Sequence, residues 1–294
     1  MTWPKISIVT PSFNQVAYLE QTIRSVLDQD YQNVEYVVVD GGSTDGSVDV
    51  IRGYADRLHW WCSEPDGGQT VAINKGLAHC TGDVYAFCNS DDLLCPGALQ
   101  AVGETFREHP DVDWAVGWAT YFDDKGLDWP YPIGATTEPV DWLIGNPIPS
   151  QASYWTARVH NQVGPLATEF NYSFDYEFWL RLRFKAGLTP HVVRRQLGRF
   201  RLHDASKTVG QSERFVEEGL AVRRRYLSHL TPAERVAWRW RYRRARAERA
   251  LLRGWVALAK QDVVEARRQA AERLRKAMIS PESWRLVYCA LRGH

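Results

Sequence analysis

Acidic side chains follow two apolar segments of this chain, at the point where each segment meets a turn. Asp40 ends the run 36–39, and Asp91 and Asp92 follow the run 85–88 after two small polar residues. Because the carboxyl ends of parallel strands line one crevice, where ligands bind, we expect these acids to lie at the same edge of a sheet. The sequence therefore predicts a site for a nucleotide together with a divalent cation.

Asp91 and Asp92 are adjacent, so at the end of a strand their side chains point in different directions and take different roles. A divalent metal held by carboxylates neutralises a diphosphate as a Lewis acid. We assign Asp92 as a metal ligand. We assign Asp91 to the ribose, or to a contact with a metal ligand rather than with the metal itself. The alternative for the doublet is a polar turn without a ligand, and the alternative for Asp40 is an N-cap of the helix that follows.

The segments around these acids alternate between strand and helix patterns. The strand patterns recur at 6–10, 34–39, 58–62 and 84–88. Helical spacing of apolar residues lies between them, and the near-continuous apolar run 34–39 is typical of a parallel strand covered on both faces. We therefore predict an α/β fold with a doubly wound, mostly parallel sheet and helices on both faces. Helical spacing returns at 174–188, and a strand pattern at 191–202.

The last third of the chain differs in charge and composition. Residues 1–210 hold 16 Lys and Arg against 26 Asp and Glu, whereas residues 211–294 hold 20 against 9. The basic part is rich in Arg and Ala at helical spacing, and 231–234 combines a capping box with proline at the first helical position. We predict a basic, all-helical extension over 211–294, a helical hairpin similar to one tetratricopeptide-type unit.

Bulk properties indicate a reduced compartment. The five cysteines are odd in number and show no Cys-x-x-Cys spacing, which disfavours a disulfide framework or a zinc site. The chain starts directly with a strand pattern, so we expect no cleavable leader. No apolar run reaches the roughly 18 residues that a membrane span needs. We expect a cytoplasmic protein.

Two common nucleotide-binding fingerprints are missing. Gly41 to Ser47 has the glycines of a phosphate loop but lacks the lysine before Ser47. No Gly-x-Gly-x-x-Gly follows the first strand pattern. The sequence therefore disfavours mononucleotide kinases, P-loop NTPases and nicotinamide-dependent dehydrogenases.

Six segments, in this order, resemble the motifs of family 2 glycosyltransferases. They are Ile-Val-Thr-Pro-Ser-Phe-Asn (8–14), Val-Val-Asp-Gly-Gly-Ser-Thr-Asp-Gly-Ser (38–47), Glu-Pro-Asp-Gly-Gly-Gln (64–69), Ala-Ile-Asn-Lys-Gly (72–76), Gly-Asp-Val (82–84) and Asn-Ser-Asp-Asp (89–92). The resemblance runs through most of 5–208 and implies a GT-A fold and inverting chemistry. The processive members' Gln-x-x-Arg-Trp motif is absent, which favours a non-processive enzyme.

The resemblance also implies roles for individual residues. Around the nucleobase it places Asp40 together with Thr10, Pro11 and Asn14. Near the base, ribose or phosphates it places Gln69, Asn74 and Lys75, the last suited by charge to a diphosphate. The doublet Asp91–Asp92 matches the acidic metal motif. The metal would be Mn²⁺ or Mg²⁺.

The segment Phe-Asp-Tyr-Glu-Phe-Trp-Leu-Arg (174–181) resembles the one that carries the family's catalytic base. Asp175 occupies the base position, where a carboxylate takes the proton from an acceptor hydroxyl during attack opposite the leaving diphosphate. Glu177 replaces the family's second aspartate and could cap the helix or hold a neighbour. Without the rest of the pattern, an N-cap of the helix 174–188 would be the favoured interpretation of Asp175.

The segment Arg-Leu-His-Asp-Ala-Ser-Lys (201–207) resembles a family loop that completes the site. A neutral imidazole at His203 can bind a metal, and Ser206 and Lys207 can clamp phosphate oxygens. Residues 149–152 resemble, more loosely, an element near the donor sugar.

Together these observations predict an inverting hexosyl-type transferase that takes its sugar from a nucleoside-diphosphate sugar, with UDP as the expected nucleotide. The catalytic domain spans 1–210, with a nucleotide-binding half at about 1–110 and an acceptor and base half at about 111–210. The acceptor is a glycan, a lipid-linked molecule or another hydroxyl compound. A non-catalytic nucleotide-sugar-binding scaffold and a sugar-1-phosphate nucleotidyltransferase are the alternatives.

The Arg- and Trp-rich segment 238–246 fits three surroundings. We rank a solvated helix that pairs with acidic residues first, peripheral contact with anionic lipid at the inner membrane face second, and nucleic acid a distant third.

Overall fold

We describe the protein from a computed structural model that covers residues 2–131, 138–203, 206–207, 212–259 and 263–276. The strands are β1 (Ile6–Ser12), β2 (Val34–Asp40), β3 (Trp60–Ser63), β4 (Val84–Phe87), β5 (Leu93–Leu94), β6 (Trp114–Phe122), β7 (Asp128–Pro130), β8 (Ser153–Thr156) and β9 (His191–Arg201). The helices are α1 (Val16–Leu27), α2 (Ser47–Gly53), α3 (Gln69–Ala78), α4 (Ala98–Glu108), α5 (Pro139–Trp142), α6 (Ala157–Val163), α7 (Phe174–Phe184), α8 (Ser212–Tyr226), α9 (Pro232–Ala259) and α10 (Val263–Lys276).

The described strands form one sheet in the order β3-β2-β1-β4-β8-β6-β9-β5, with β7 paired to β6. The first four of these strands are parallel neighbours. β8 then runs antiparallel to both β4 and β6, and β6 pairs in parallel with β9. The predicted α/β fold, with parallel strands and helices on both faces of the sheet, is confirmed. The aromatic middle of the chain supplies the mixed half of the sheet.

Side-chain alternation on β1 explains how helices cover both faces of the sheet. Ile6 and Ile8 belong to a buried cluster that includes residues of α1, α2 and α4. Val9 points to the other face, where a Cβ built on Gly76 of α3 would collide with it and would lie 3.2 Å from Val39. Gly76 therefore permits α3 to pack closely on β1 and β2. Because successive side chains of a strand point to opposite faces, Ile8 and Val9 meet helices on different sides of the sheet.

Loops after β1, β2 and β4 meet at one edge of the sheet, as the parallel order predicts. Asp40 is the last residue of β2 and pairs with Ser12, the last residue of β1. Asn89 to Asp92 follow β4, which lies on the other side of β1. The carboxyl ends of the parallel strands thus converge where the sequence places the acidic residues.

Within the described chain, Met1–Thr137 and Asn146–Tyr226 form one compact unit, and Glu138–Gly145 with Leu227–His294 form a second. The first unit includes α8, so the division falls at Tyr226 rather than at the predicted 210. The assignment of two domains stays a prediction.

The second unit is helical, as predicted for the extension. Thr231 and Glu234 form the expected capping box, each backbone N–H being bonded to the other residue's side chain. The indole of Trp238 donates to the carbonyl oxygen of Leu143 at 2.9 Å, and Arg241 pairs with Asp141 at 2.7 Å. None of the helices that the structure describes has the length and apolar character to cross a bilayer.

Candidate active site

The carboxyl edge of the sheet opens into a cavity of about 780 Å³. Its wall includes these sequence-predicted site residues: Pro11, Gln69, Asp91, Asp92, Asp175, Ser206 and Lys207. The loops after β1, β2, β3 and β4, together with helices α3, α7 and α8, all contribute to this wall. Ligand sites in proteins commonly have 300–1,000 Å³, so the cavity is large enough for a nucleotide sugar.

One side of the cavity is shaped by Asp40, although its own side chain is fully buried. Its carboxylate accepts hydrogen bonds from the backbone N–H groups of Gly42 and Ser43 at 3.1 and 2.8 Å. The hydroxyls of Ser43 and Ser63 add two more at 2.5 and 2.7 Å. Asp40 is not the N-cap of α2, which is Gly46. It holds the turn that presents Gly41 and Gly42 to the cavity.

Gly42 lies in the left-handed region, with a φ of 82°. A Cβ at this position would approach the backbone nitrogen of Pro65 to 3.1 Å. The turn after β2 therefore packs directly on the segment after β3, and both line the cavity, as Pro11 does. This part of the wall requires the glycine for conformation and for space.

The predicted neighbours Thr10 and Asn14 act within the protein. The hydroxyl of Thr10 is buried and accepts from the phenol of Tyr36 at 2.9 Å. Asn14 has a φ of 51°, and its side chain accepts from the N–H of Thr44 at 3.0 Å. Asn14 therefore ties the loop after β1 to the loop after β2.

Asn74 and Lys75 of α3 also have protein partners. The amide of Asn74 forms two hydrogen bonds with the backbone of Leu166, at 2.8 and 2.9 Å. Lys75 forms an ion pair with Glu64. Neither side chain is part of the described cavity wall, so the two predicted ligand contacts stay predictions.

The two acids of the doublet differ sharply in environment. The Asp92 side chain is buried and accepts from the backbone of Arg201 at 2.9 Å, from Asn89 at 3.0 Å and from Gln151 at 2.6 Å. Burial, and secondly the charge of Asp91, raise the pKa of Asp92 well above its ordinary value. Three donors from β9, the loop after β4 and the turn before β8 thus fix the buried carboxyl in place.

Asp91 is the more accessible acid, with 18% of its side chain exposed in the cavity wall. Its Oδ2 lies 3.0 Å from Nε2 of His203. The imidazole also packs on Tyr18, with ring centroids 4.6 Å apart. The structure therefore brings the predicted metal ligand His203 to Asp91.

A polar chain connects the doublet to Lys207. Lys207 donates to Gln69 at 2.9 Å, and Gln69 donates to Asn89 at 2.7 Å. Asn89 is in turn a donor to Asp92. Two buried hydroxyls of the cavity wall, Ser12 Oγ and Ser206 Oγ, have no hydrogen-bond partner among the described residues. Such groups are suited to bonding a polar ligand.

Asp175 is the second residue of α7, and Ser173 is the N-cap of that helix. One carboxylate oxygen accepts from the N–H of Tyr176 at 2.7 Å, and the other accepts from the amide of Asn146 at 2.8 Å. Burial raises the pKa of Asp175 to about 6, against the lowering effect of these two donors. A carboxyl with this pKa, in a cavity, is well matched to accept a proton near neutral pH.

Glu177 has a role within the fold. Its carboxylate is buried, pairs with Arg181 and accepts from the phenol of Tyr226 at 2.7 Å. Arg181 also donates to the carbonyl oxygens of Val163, Gly164 and Pro165. Glu177 therefore holds a neighbour, which is one of the two alternatives left open by the sequence.

The family model described as glycosyl transferase family 2 matches residues 7–167, more than half of the 294 residues. The chain belongs to this family. The glycosyltransferase is 33% identical over 183 residues to an uncharacterised glycosyltransferase of Mycobacterium tuberculosis, covering 60% of this chain and 68% of that one. It is 41% identical over 124 residues to TuaG of Bacillus subtilis, described as a putative teichuronic acid biosynthesis glycosyltransferase, covering 41% and 49%.

Two solved structures have a similar fold. TarS residues 1–349 of S. aureus, in complex with UDP-GlcNAc, has a TM-score of 0.57 at 14% identity and covers 99% of this chain and 92% of that one. The mannosyltransferase PcManGT of Pyrobaculum calidifontis, in complex with GDP-Man and Mn²⁺, has a TM-score of 0.51 at 16% identity and covers 99% and 74%. These likenesses support the fold of the glycosyltransferase.

Several residues of the site were not found from the sequence. Asn146 and Glu218 act on Asp175 or on the loop before it from positions 29 and 43 residues away. Phe200, Phe215 and Tyr172 add aromatic surface to the cavity. No local pattern marks these residues, because their roles depend only on which segments the fold brings together.

Proposed function

We propose that this glycosyltransferase moves a hexosyl group from a UDP-sugar to an acceptor hydroxyl with inversion, using Asp175 as the general base. The observation that carries this proposal is that one cavity includes both the doublet Asp91–Asp92 and Asp175 in its wall. The doublet follows β4, and Asp175 begins α7. A donor that contacts the doublet thus occupies the same cavity that Asp175 lines.

For the donor, the wall formed by Gly41, Gly42 and Pro65, together with Pro11, is suited to a flat nucleobase. Asp40 contributes by fixing this wall through its four hydrogen bonds. Gln69 and Lys207 lie on the path towards the doublet and supply polar and positive groups for the phosphates. The orphan hydroxyls of Ser12 and Ser206 are further donors for the same ligand.

For the metal, we propose Asp91 and His203 as the ligands, and we reassign Asp92 to bracing the loop. No group of three or more His, Cys, Asp or Glu side chains suited to a metal occurs in the part of the chain that the structure describes. The donor set nevertheless fits Mg²⁺ or Mn²⁺, because such ions are commonly held by one or two carboxylates together with substrate phosphates. When bound, the ion would neutralise charge on the leaving diphosphate.

For the chemistry, Asp175 takes the proton of the acceptor hydroxyl as the oxygen attacks the anomeric carbon. The bond from that carbon to the diphosphate breaks on the opposite face, so the configuration inverts. Asn146 and the N–H of Tyr176 hold the carboxylate during this step. A pKa of about 6 leaves the base mostly ionised at pH 7 and still able to accept the proton.

The acceptor is proposed as a glycan, a lipid-linked molecule or another hydroxyl compound. A cytoplasmic location, and peripheral contact of the basic helix α9 with anionic lipid, remain predictions. Arg239 and Arg243 are exposed on α9 near Trp240, which is 64% exposed. Arginine together with an exposed indole suits a headgroup region.

The test is a donor panel. The full chain is incubated with Mn²⁺ and UDP-glucose, UDP-GlcNAc or GDP-mannose, with and without cell extract as acceptor source, and nucleotide release is measured. We expect release with a UDP-sugar and a loss of about 100-fold or more in Asp175→Asn, because a general base contributes about 10²–10⁴. Donor binding without turnover under every condition would favour the scaffold. Pyrophosphate exchange with a sugar 1-phosphate would favour the nucleotidyltransferase.

Two matched variants test the assignment of the doublet. Asp91→Asn should lower activity and weaken the response to added Mn²⁺, while the midpoint of thermal unfolding stays close to that of the unmodified chain. Asp92→Asn puts an amide among three donors, so we expect lower thermal stability. The proposal for the metal fails if Asp92→Asn removes the Mn²⁺ response at unchanged stability and Asp91→Asn does not.

A further inference from the structure

Helix α8 lies beyond residues 7–167, which the family model matches. It nevertheless belongs to the compact unit that contains the cavity. Phe215 of α8 is part of the cavity wall and contacts Tyr172, with ring centroids 5.2 Å apart. The helix is therefore close enough to the cavity to affect the reaction.

One carboxylate of α8 binds three consecutive backbone groups next to the proposed base. Glu218 accepts hydrogen bonds from the N–H groups of Asn171, Tyr172 and Ser173 at 3.0, 2.7 and 2.9 Å. Ser173 is the N-cap of α7, and Asp175 follows two residues later. A charged acceptor at the start of a helix satisfies N–H groups that have no partner in the helix and interacts favourably with its dipole.

The same carboxylate acts on Asp175 through its charge. Burial is the largest cause of the raised pKa of Asp175, and the hydrogen bonds from Tyr176 and Asn146 lower it. The negative charge of Glu218 is the smallest of these effects, and it raises the pKa. Lys207 interacts electrostatically with Glu218 and with Asp91. The phenol of Tyr131 interacts electrostatically with Asp175. Among Glu218, Lys207 and Tyr131, Glu218 is the negatively charged group. Its carboxylate is also hydrogen-bonded to the backbone just before the proposed base.

We propose that Glu218 is a positioning residue for the transfer reaction: its carboxylate fixes the loop 171–173 and sets the electrostatic environment of Asp175. This inference rests on the proposed function of Asp175. It makes α8 a part of the active site rather than the first helix of a separate extension.

A purely structural role would predict a different result. If Glu218 only held the loop, its replacement would lower stability and activity but leave the protonation of Asp175 unchanged. If Glu218 also sets the environment of Asp175, removing its charge must lower the pKa of that carboxyl, because a nearby negative charge favours the protonated form.

The experiment measures this protonation directly. The full chain is labelled with ¹³C at the side-chain carboxyl of aspartate, and the Asp175 resonance is assigned by its loss in Asp175→Asn. Its midpoint is followed from pH 4 to 8 in the unmodified chain, in Glu218→Gln and in Glu217→Gln. Glu217 is exposed on the same helix and is the matched control, since its replacement removes the same charge one residue away.

We expect a midpoint near 6 for the unmodified chain, a lower midpoint in Glu218→Gln and an unchanged one in Glu217→Gln. Coinciding midpoints in the unmodified chain and Glu218→Gln, or equal shifts in the two variants, would overturn the proposal. If Glu218→Gln does not fold, Glu218→Asp is used as the test, because the shorter side chain keeps the charge but moves it away from the loop 171–173. Amide exchange at 171–173 must then accelerate, and unchanged exchange would refute the proposal.

Activity separates this inference from the proposed function. With whichever donor of the panel is consumed, Glu218→Gln should lower kcat by about tenfold, as expected for the loss of about 1.4 kcal/mol of positioning. If Asp175→Asn stays fully active while the Glu218→Gln midpoint still shifts, the assignment of the base fails and the coupling stands. If Asp175→Asn is inactive and the midpoint does not shift, the assignment of Glu218 fails alone.

Discussion

Asn146 allows a direct test of what sets the pKa of Asp175, the proposed base. Its side-chain amide donates to Asp175 at 2.8 Å, and this hydrogen bond lowers the pKa of Asp175 against the raising effect of burial. Replacing Asn146 by alanine removes the donor and favours the protonated carboxyl. The acid limb of the pH profile should therefore move to higher pH, whereas loss of a negative neighbour moves it lower.

The size of the effect follows from the hydrogen bond. A hydrogen bond to a charged group is worth about 1.5–3 kcal/mol, and part of this is recovered because water can reach a partly exposed carboxylate. One pKa unit corresponds to 1.36 kcal/mol, so we expect a rise of about one unit, from about 6 to about 7. Activity at pH 6 then falls about fivefold, while activity at pH 8 changes by less than about twofold.

The assay is kcat/KM for donor consumption between pH 5 and pH 9. Asn146 also accepts from the N–H of Ile148 at 3.2 Å, so alanine could disturb the loop and lower activity at every pH. The shape of the profile, and not its height, is therefore the readout. Asn171→Ala is the control, because this asparagine lines the same cavity and its side chain makes no described bond to Asp175. An acid limb that stays in place, or moves to lower pH, would refute the reasoning.

Two stability predictions follow from buried groups in the same unit. Glu177→Gln should lower the free energy of unfolding by about 3 kcal/mol, because it breaks a buried ion pair with Arg181. Denaturant titration measures this free energy. The control is Glu20→Gln, which breaks an exposed pair with Arg24 and should not change the free energy measurably. Gly76→Ala should destabilise by about 1–3 kcal/mol through overlap with Val9. Gly53→Ala, with nothing within 4 Å of the added methyl, should not destabilise in the same assay, and equal losses in both glycine variants would contradict the packing argument.

The parallel half of the sheet could be predicted from the sequence because its signals are local. The apolar run 34–39 and the helical spacing before it specify a covered parallel strand without knowledge of any other segment. The mixed half was harder to predict. Strand β8 pairs with β4 and β6, which precede it by tens of residues, and its register depends on side chains that pack from both.

Within the site, residue types were predictable and environments were not. The sequence places Asp91 and Asp92 together at a strand end, but their difference arises from Arg201 and Gln151, which reach Asp92 from 109 and 59 residues away. Lys75 has the charge for a diphosphate, yet its described partner is Glu64. A motif specifies which groups are present, whereas burial and partners specify which of them can meet a ligand.

Asp175 shows how burial and hydrogen-bond partners, rather than the motif, set the properties of a site residue. Burial raises the pKa of this carboxyl, Asn146 and the N–H of Tyr176 lower it, and Glu218 raises it again. Asn146 precedes α7 and Glu218 follows it, so chain segments on both sides of the motif act on this carboxyl. The motif alone would be compatible with an ordinary, acidic aspartate at a helix start. Burial suits the carboxyl to its proposed role as a base near neutral pH, and a change at Asn146 or Glu218 should alter its pKa without touching the motif.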